Sequence, residues 1–173
     1  MRYDDAVEAL VNGYSVFDFS RGITKNRRNL NGPFWRAFHS MRGSISRDDN
    51  ADMLATNLFR FDVDQGRSVI KHCDPDELRE ILNFQRGLLA REIRVLKPTA
   101  VLFFTGPSYD LALQDEFDGI EIYPLSGRSE RQFAGVRHPD LPPIAIRTYH
   151  PGYLNRSREK RSWLEDIGHY ASA

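Results

Sequence analysis

The chain has 173 residues, with 24 basic and 24 acidic side chains, 40% hydrophobic and 12% aromatic residues, and one cysteine. That length and apolar content suit a single packed domain over residues 1–173 and exclude a disordered chain. Zero formal charge leaves no overall field for a polyanion, so any such binding has to come from local asymmetry, and the lone Cys73 excludes an internal disulfide.

In chain order, residues 3–12 read as a short helix and "YSVFDF" as a strand ahead of Ser20-Arg21-Gly22. The opening "MRYDDAVEAL" carries acids and no long apolar run, so neither a signal peptide nor a membrane span is expected, and a reducing cytoplasm is the expected location. From Phe19 to Arg47 there are seven basic residues, Arg27 and Arg28 among them, and no acidic one. Within this stretch "NGPFWRAFHSM" predicts a turn at Asn31-Gly32 and a helix starting at Pro33, a position where proline's missing N–H costs nothing.

"MLATNLFRFD" predicts a buried strand, and residues 76–97 a long amphipathic helix capped by Asp74-Pro75 and ended by Lys97-Pro98. "TAVLFFTG" has the form of a strand buried on both faces, "PSYDLALQDEF" of a helix, and "IEIYPL" and "PPIAIRTYH" of further strands; residues 157–171 read as a last helix. Strands alternating with helices predict an α/β domain with a mostly parallel central sheet. Ligands of such sheets sit beyond the carboxyl ends of the strands, here Asp18 to Gly22, Thr56-Asn57, Thr105-Gly106 and Tyr149-His150-Pro151.

Several residues at these ends carry chemistry, and each has a plainer reading. His150 ends a strand on a rigid Pro-Gly turn, where an imidazole can donate to charge developing on a bound group, although a lone histidine is commonly structural. Asn57, inside an apolar run, either bonds a neighbouring loop or reads the edge of a planar base with its amide. Tyr153 and Leu154 either fasten their loop to the core or, if exposed, wedge into a base stack while Arg156, Arg158, Lys160 and Arg161 hold phosphates. Phe34 and Trp35 pack in a core by default, or one of them stacks on a base. No cofactor or metal site is expected from any Cys/His spacing.

"RTYHPGYLNRS" resembles the histidine-proline motif of the uracil-DNA glycosylase superfamily, in which a His-Pro turn runs into an intercalating apolar residue. "ATNLFRF" resembles the segment whose asparagine recognises the base, "LKPTAVLFFTGPSYD" its helix–strand–glycine segment, and "NGPFW" the stretch whose phenylalanine stacks on the base in the iron–sulfur branch. The matches run in order from about residue 31 onward. The resemblance implies a three-layer α/β/α fold and a monomeric, monofunctional DNA glycosylase that leaves an abasic site. It implies that His150 stabilises the departing base, Asn57 reads it, Phe34 stacks on it, Leu154 with Tyr153 fills the gap, and Arg156 and its neighbours hold the DNA backbone. Two departures stand out. One cysteine cannot hold an iron–sulfur cluster, and "FDFSRGITKNRRN" lacks a close match to the Gly-rich first motif, leaving Asp18, Asn26 or Asn29 to position the attacking water. Uracil is the substrate implied; another modified base, such as those some phages carry, would fit a role in defence against them. A catalytically silent nucleic-acid-binding module on the same fold is the alternative, and an enzyme acting on free nucleosides is a third reading, opposed by the basic stretch.

Overall fold

A computed structural model describes residues 32–45, 53–60, 74–125, 127–156 and 167. These fall into two compact units, one drawn from the segments Met1–Ala55 and Pro151–Ala173 and the other formed by Thr56–His150.

In the first unit, helix α1 (Pro33–Ile45) begins at the expected proline, and the amide of Arg36 donates to the Gly32 carbonyl at 3.1 Å. Phe34, Trp35 and Phe38 form an aromatic cluster, with Phe34 to Trp35 centroids 5.2 Å apart and Trp35 to Phe38 centroids 5.6 Å apart. Ala37, Phe38 and Met41 are buried. The helix packs against a short helix, α5 (Pro151–Leu154).

The second unit contains α2 (Pro75–Gln85), α3 (Leu88–Leu96), β1 (Ala100–Phe103), a 3-10 turn (Pro107–Tyr109), α4 (Asp110–Glu116), β2 (Glu121–Pro124), β3 (Phe133–Arg137) and β4 (Ile144–Thr148). Its four strands form a mixed sheet in the order β1-β4-β3-β2. The architecture is therefore broadly α/β. The expected mostly parallel sheet gives way, among the described residues, to one parallel pairing, β1 with β4, and two antiparallel ones. The reason is β3, "FAGVR", which the sequence did not reveal as a strand. Short connections on either side turn β2, β3 and β4 into an antiparallel meander, and only β1, separated from β4 by α4 and two strands, is left to pair in parallel.

The single helix expected over residues 76–97 is two. Asp74 caps α2 by accepting from the Asp76 amide at 2.8 Å, with Pro75 at the first helical position. The break falls at Arg86, which is extended, and Gly87, which has φ 76°. A carboxylate from elsewhere stabilises the restart. Glu116, at the end of α4, accepts from the amides of Gly87 at 2.8 Å and Ala90 at 2.9 Å, so it satisfies orphan N–H groups and faces the positive end of the α3 dipole.

The core of this unit joins Leu89, Ala90 and Ile93 of α3 to Phe103, Leu113, Phe117, Ile120, Val136 and Ala145. β1 is half-buried along Ala100 to Leu102 rather than covered on both faces. Among the described residues, no helix is long and apolar enough to cross a membrane.

The expected strand at "MLATNLFRFD" is also corrected: residues 53–60 form no strand, and Asn57 is exposed. The Gln85 side chain explains how an extended-looking segment manages without a ladder. Its Oε1 accepts from the Arg60 amide at 3.0 Å, and its Nε2 donates to the Leu58 carbonyl at 3.5 Å. One buried amide side chain thus meets a donor and an acceptor that a neighbouring strand would otherwise serve.

Because Glu116 caps α3 from a distance, Glu116→Ala is expected to destabilise the protein by about 1 kcal/mol, the scale of a lost helix cap. Urea unfolding measures this, and Glu116→Gln, which keeps an acceptor, is expected to lose less.

Candidate functional site

β1 and β4 run in parallel, so their carboxyl ends lie at the same edge of the sheet. The pairing extends one step past the strands, where the Gly106 amide donates to the Thr148 carbonyl at 2.9 Å. Gly106 has φ 69° and ψ 171°, a region open to glycine and costly for other residues. A Cβ at this position would also stand 3.1 Å from Cδ1 of Tyr149. The turn of β1 and the end of β4 therefore touch at Gly106 and Tyr149, immediately before His150.

Thr148 is held a second time, its hydroxyl donating to the Gln132 carbonyl at 3.0 Å. Arg147, 1% exposed, reaches three acceptors. Nη2 donates to Oδ2 of Asp110 at 3.1 Å, Nη1 donates to the Arg131 carbonyl at 3.0 Å, and Nε lies 3.0 Å from Oδ1 of Asp110 as an ionic contact without hydrogen-bond alignment. Asp110 opens α4, just past the 3-10 turn. Burial raises its carboxyl pKa above the usual carboxylate range, outweighing the pull of the Arg147 guanidinium in the opposite direction.

The segment that carries Asn57 is tied to the same turn. The Phe59 ring meets Tyr109 edge-on with centroids 5.7 Å apart, and the Tyr109 amide donates to the Gly106 carbonyl at 3.3 Å. On its other side, Thr56 donates to Glu92 at 3.4 Å, and Arg60 pairs with Glu92 and donates to the Thr56 hydroxyl. Asn57 is thus an exposed residue between pinned neighbours. A continuous run of contacts leads from Phe59 through Tyr109 and Gly106 to Tyr149, the residue before His150. The buried hydroxyl of Thr105, beside Gly106, makes no hydrogen bond among the described residues.

His150 is exposed, yet the protein around it removes enough water to lower its pKa from the ordinary histidine value. Burial thus favours the neutral imidazole over the charged form.

Two of the four strand ends singled out in sequence, Thr105-Gly106 and Tyr149-His150, meet in this way. Thr56-Asn57 is no strand end but borders the same turn. Asp18, Asn26, Asn29, Arg27 and Arg28 lie outside the described residues, as do Arg158, Lys160 and Arg161. The boundary between the units falls between His150 and Pro151. In the first unit, Leu154 is fully buried, so the apolar pair is not an exposed wedge and Leu154 serves the anchoring role instead. Tyr153 is half-buried, with the exposed Arg156 guanidinium 5.2 Å from its ring centroid. Phe34 is half-buried within the α1 aromatic cluster. Sequence reasoning missed the Arg147–Asp110 pair. The available signal was a charged residue in the middle of the apolar strand "IAIRT", a position that demands a buried partner.

Family models, characterised proteins and solved structures give no match to this chain.

Gly106→Ala is expected to cost about 1–3 kcal/mol in urea unfolding, from backbone strain at this position. Asp110→Ala strands a buried guanidinium and is expected to cost toward the lower end of about 3–5 kcal/mol, since Asp110 itself keeps some solvent access. The histidine can be followed by NMR. Its folded-state pKa is depressed, so the unfolded chain takes up its proton first as pH falls; the His150 contribution to stability is full above the unfolded value and lost on acidification through it toward the folded value. The His150 ring is expected to titrate below an ordinary exposed histidine, and titration at or above the ordinary value contradicts this environment.

Proposed function

We propose that the protein is a DNA glycosylase of the uracil-DNA glycosylase type, which draws a uracil or other modified or damaged base out of the DNA stack and hydrolyses its N-glycosidic bond. The observation that carries this reading is an exposed His150 just past the end of β4, beside the Gly106 turn to which the Asn57 segment is also pinned, with burial lowering its pKa. A base excised by hydrolysis leaves as an anion while the sugar becomes positive. An imidazole N–H aimed at a base oxygen stabilises the leaving group without having to give up its proton. The exposed amide of Asn57, with both donor and acceptor, suits the complementary edge of the same base. From the resemblance alone, Phe34 is proposed to stack on a base and Arg156 to contact phosphates.

Water attack at the sugar requires a carboxylate or amide that orients the nucleophile, and Asp18 is the residue proposed for it, with Asn26 and Asn29 as the alternatives. Leu154 has no part in the proposal. From the resemblance alone, Tyr153 is the residue proposed to fill the gap left by the base.

The test uses duplexes that each carry one candidate base, followed by alkaline cleavage at abasic sites. Strand breaks are expected on at least one duplex, reduced about 10²–10³-fold by His150→Ala, the scale of losing one preorganised donor. Binding that weakens with added salt but gives no abasic product on any base would instead identify a silent DNA-binding module.

A further inference from the structure

Arg147 and Asp110 form a link whose placement matters more than its strength. Gly106 and Asp110 are joined by the short main-chain path through the 3-10 turn, and Arg147 and Thr148 are neighbours in β4. The Gly106 to Thr148 hydrogen bond and the Asp110 to Arg147 ion pair close these two pieces into one small ring. The ring has little freedom. Gly106 occupies a conformation reserved for glycine, and the Arg147 guanidinium is oriented by a third acceptor, the Arg131 carbonyl. Its outward products are the Tyr149-His150 end of β4 and the Tyr109 ring against which Phe59 packs.

Stability does not account for using charges here. Removing two ionised groups from water offsets most of their attraction, and apolar side chains of similar volume commonly serve as well or better. Burial likewise raises the Asp110 carboxyl pKa against the pull of Arg147. What apolar packing does not supply is direction: a guanidinium with its donors in a rigid fork fixes both the angle and the spacing of the elements it joins.

We propose that Asp110 and Arg147 are positioning residues, which lock the β1 turn against the end of β4 and so set where His150 stands relative to the Gly106 turn and the Asn57 segment. The functional meaning of that position rests on the glycosylase reading; the lock itself does not.

The experiment compares the full chain with a double variant, Asp110→Leu with Arg147→Met, which fills the site with apolar volume and removes the directional link. Amide hydrogen exchange and His150 ring resonances are read by NMR, alongside base-excision kinetics. Expected is a folded protein in which Val136 and Ile146 keep their exchange protection, Gly106 exchanges at least tenfold faster, and the His150 resonances move. On a duplex that the wild type cleaves, kcat is expected to fall tenfold or more with KM little changed. If the double variant does not fold, Asp110→Glu moves the carboxylate by one methylene and is read in the same way. Unchanged Gly106 exchange and His150 resonances, or a uniform loss of protection across the sheet, overturn the proposal. A wild type inactive on every base refutes the glycosylase reading while Gly106 and His150 still decide the lock.

Discussion

The Arg147 guanidinium is 1% exposed, and its hydrogen bonds to Asp110 and the Arg131 carbonyl tie together the elements on either side of β4. Its acceptors come from the start of α4 and from the loop before β3. The strand that carries it is therefore tied to the element on its β1 side and to the hairpin on its β3 side at the same level. Thr148 repeats the arrangement one residue later, with the Gly106 amide and the Gln132 carbonyl as partners. The carboxyl end of β4 is thus bonded to elements on both of its sides, and His150 leaves from it. A site built on such an end inherits its rigidity, the requirement for placing a donor against charge that appears only in a transition state.

Side chains also stand in for missing backbone partners elsewhere in this unit. Gln85 serves both a donor and an acceptor of residues 58–60, and Glu116 serves two amides at the head of α3. Both are long-range contacts, so the segments they organise depend on the assembled unit and not on local propensity. The Asn57 segment is the clearest case: its backbone is fixed by Gln85, its flank by the Phe59–Tyr109 packing, and its charge by Arg60 with Glu92, while the Asn57 side chain stays exposed.

The same contacts explain what was legible in the sequence. Helix starts at Pro33 and Asp74-Pro75 were readable because proline and the cap act within a few residues. β1, β2 and β4 were readable from their apolar runs. The helix break at Gly87 was hidden because the apolar spacing continues across it, while the Glu116 carboxylate that stabilises the restart comes from more than twenty residues away. "ATNLFRF" read as a strand because its apolar pattern is strand-like; the partner it found was a glutamine. β3 was missed because Gly135 interrupts it at the centre, where the Tyr123 ring of the paired strand occupies the space that a side chain would take. That omission turned a mixed sheet into an expected parallel one. At the candidate site, the Thr105-Gly106 and Tyr149-His150 ends were foreseen, whereas the pair that locks them was not, because nothing local to Arg147 names Asp110 as its partner. Leu154 shows the reverse error: its apolar character fits both a wedge and a core position, and burial decides for the core.

The proposed function requires a base to be held at the edge where β1 and β4 end. NMR of the isotope-labelled full chain with a short duplex containing a non-cleavable analogue of the excised nucleotide addresses it most directly. Asn57, Gly106, Tyr109, Tyr149 and His150 are expected to shift together, and an otherwise identical unmodified duplex to leave them far less affected. Equal shifts with both duplexes, or shifts that spare His150 and the Gly106 turn, would contradict it.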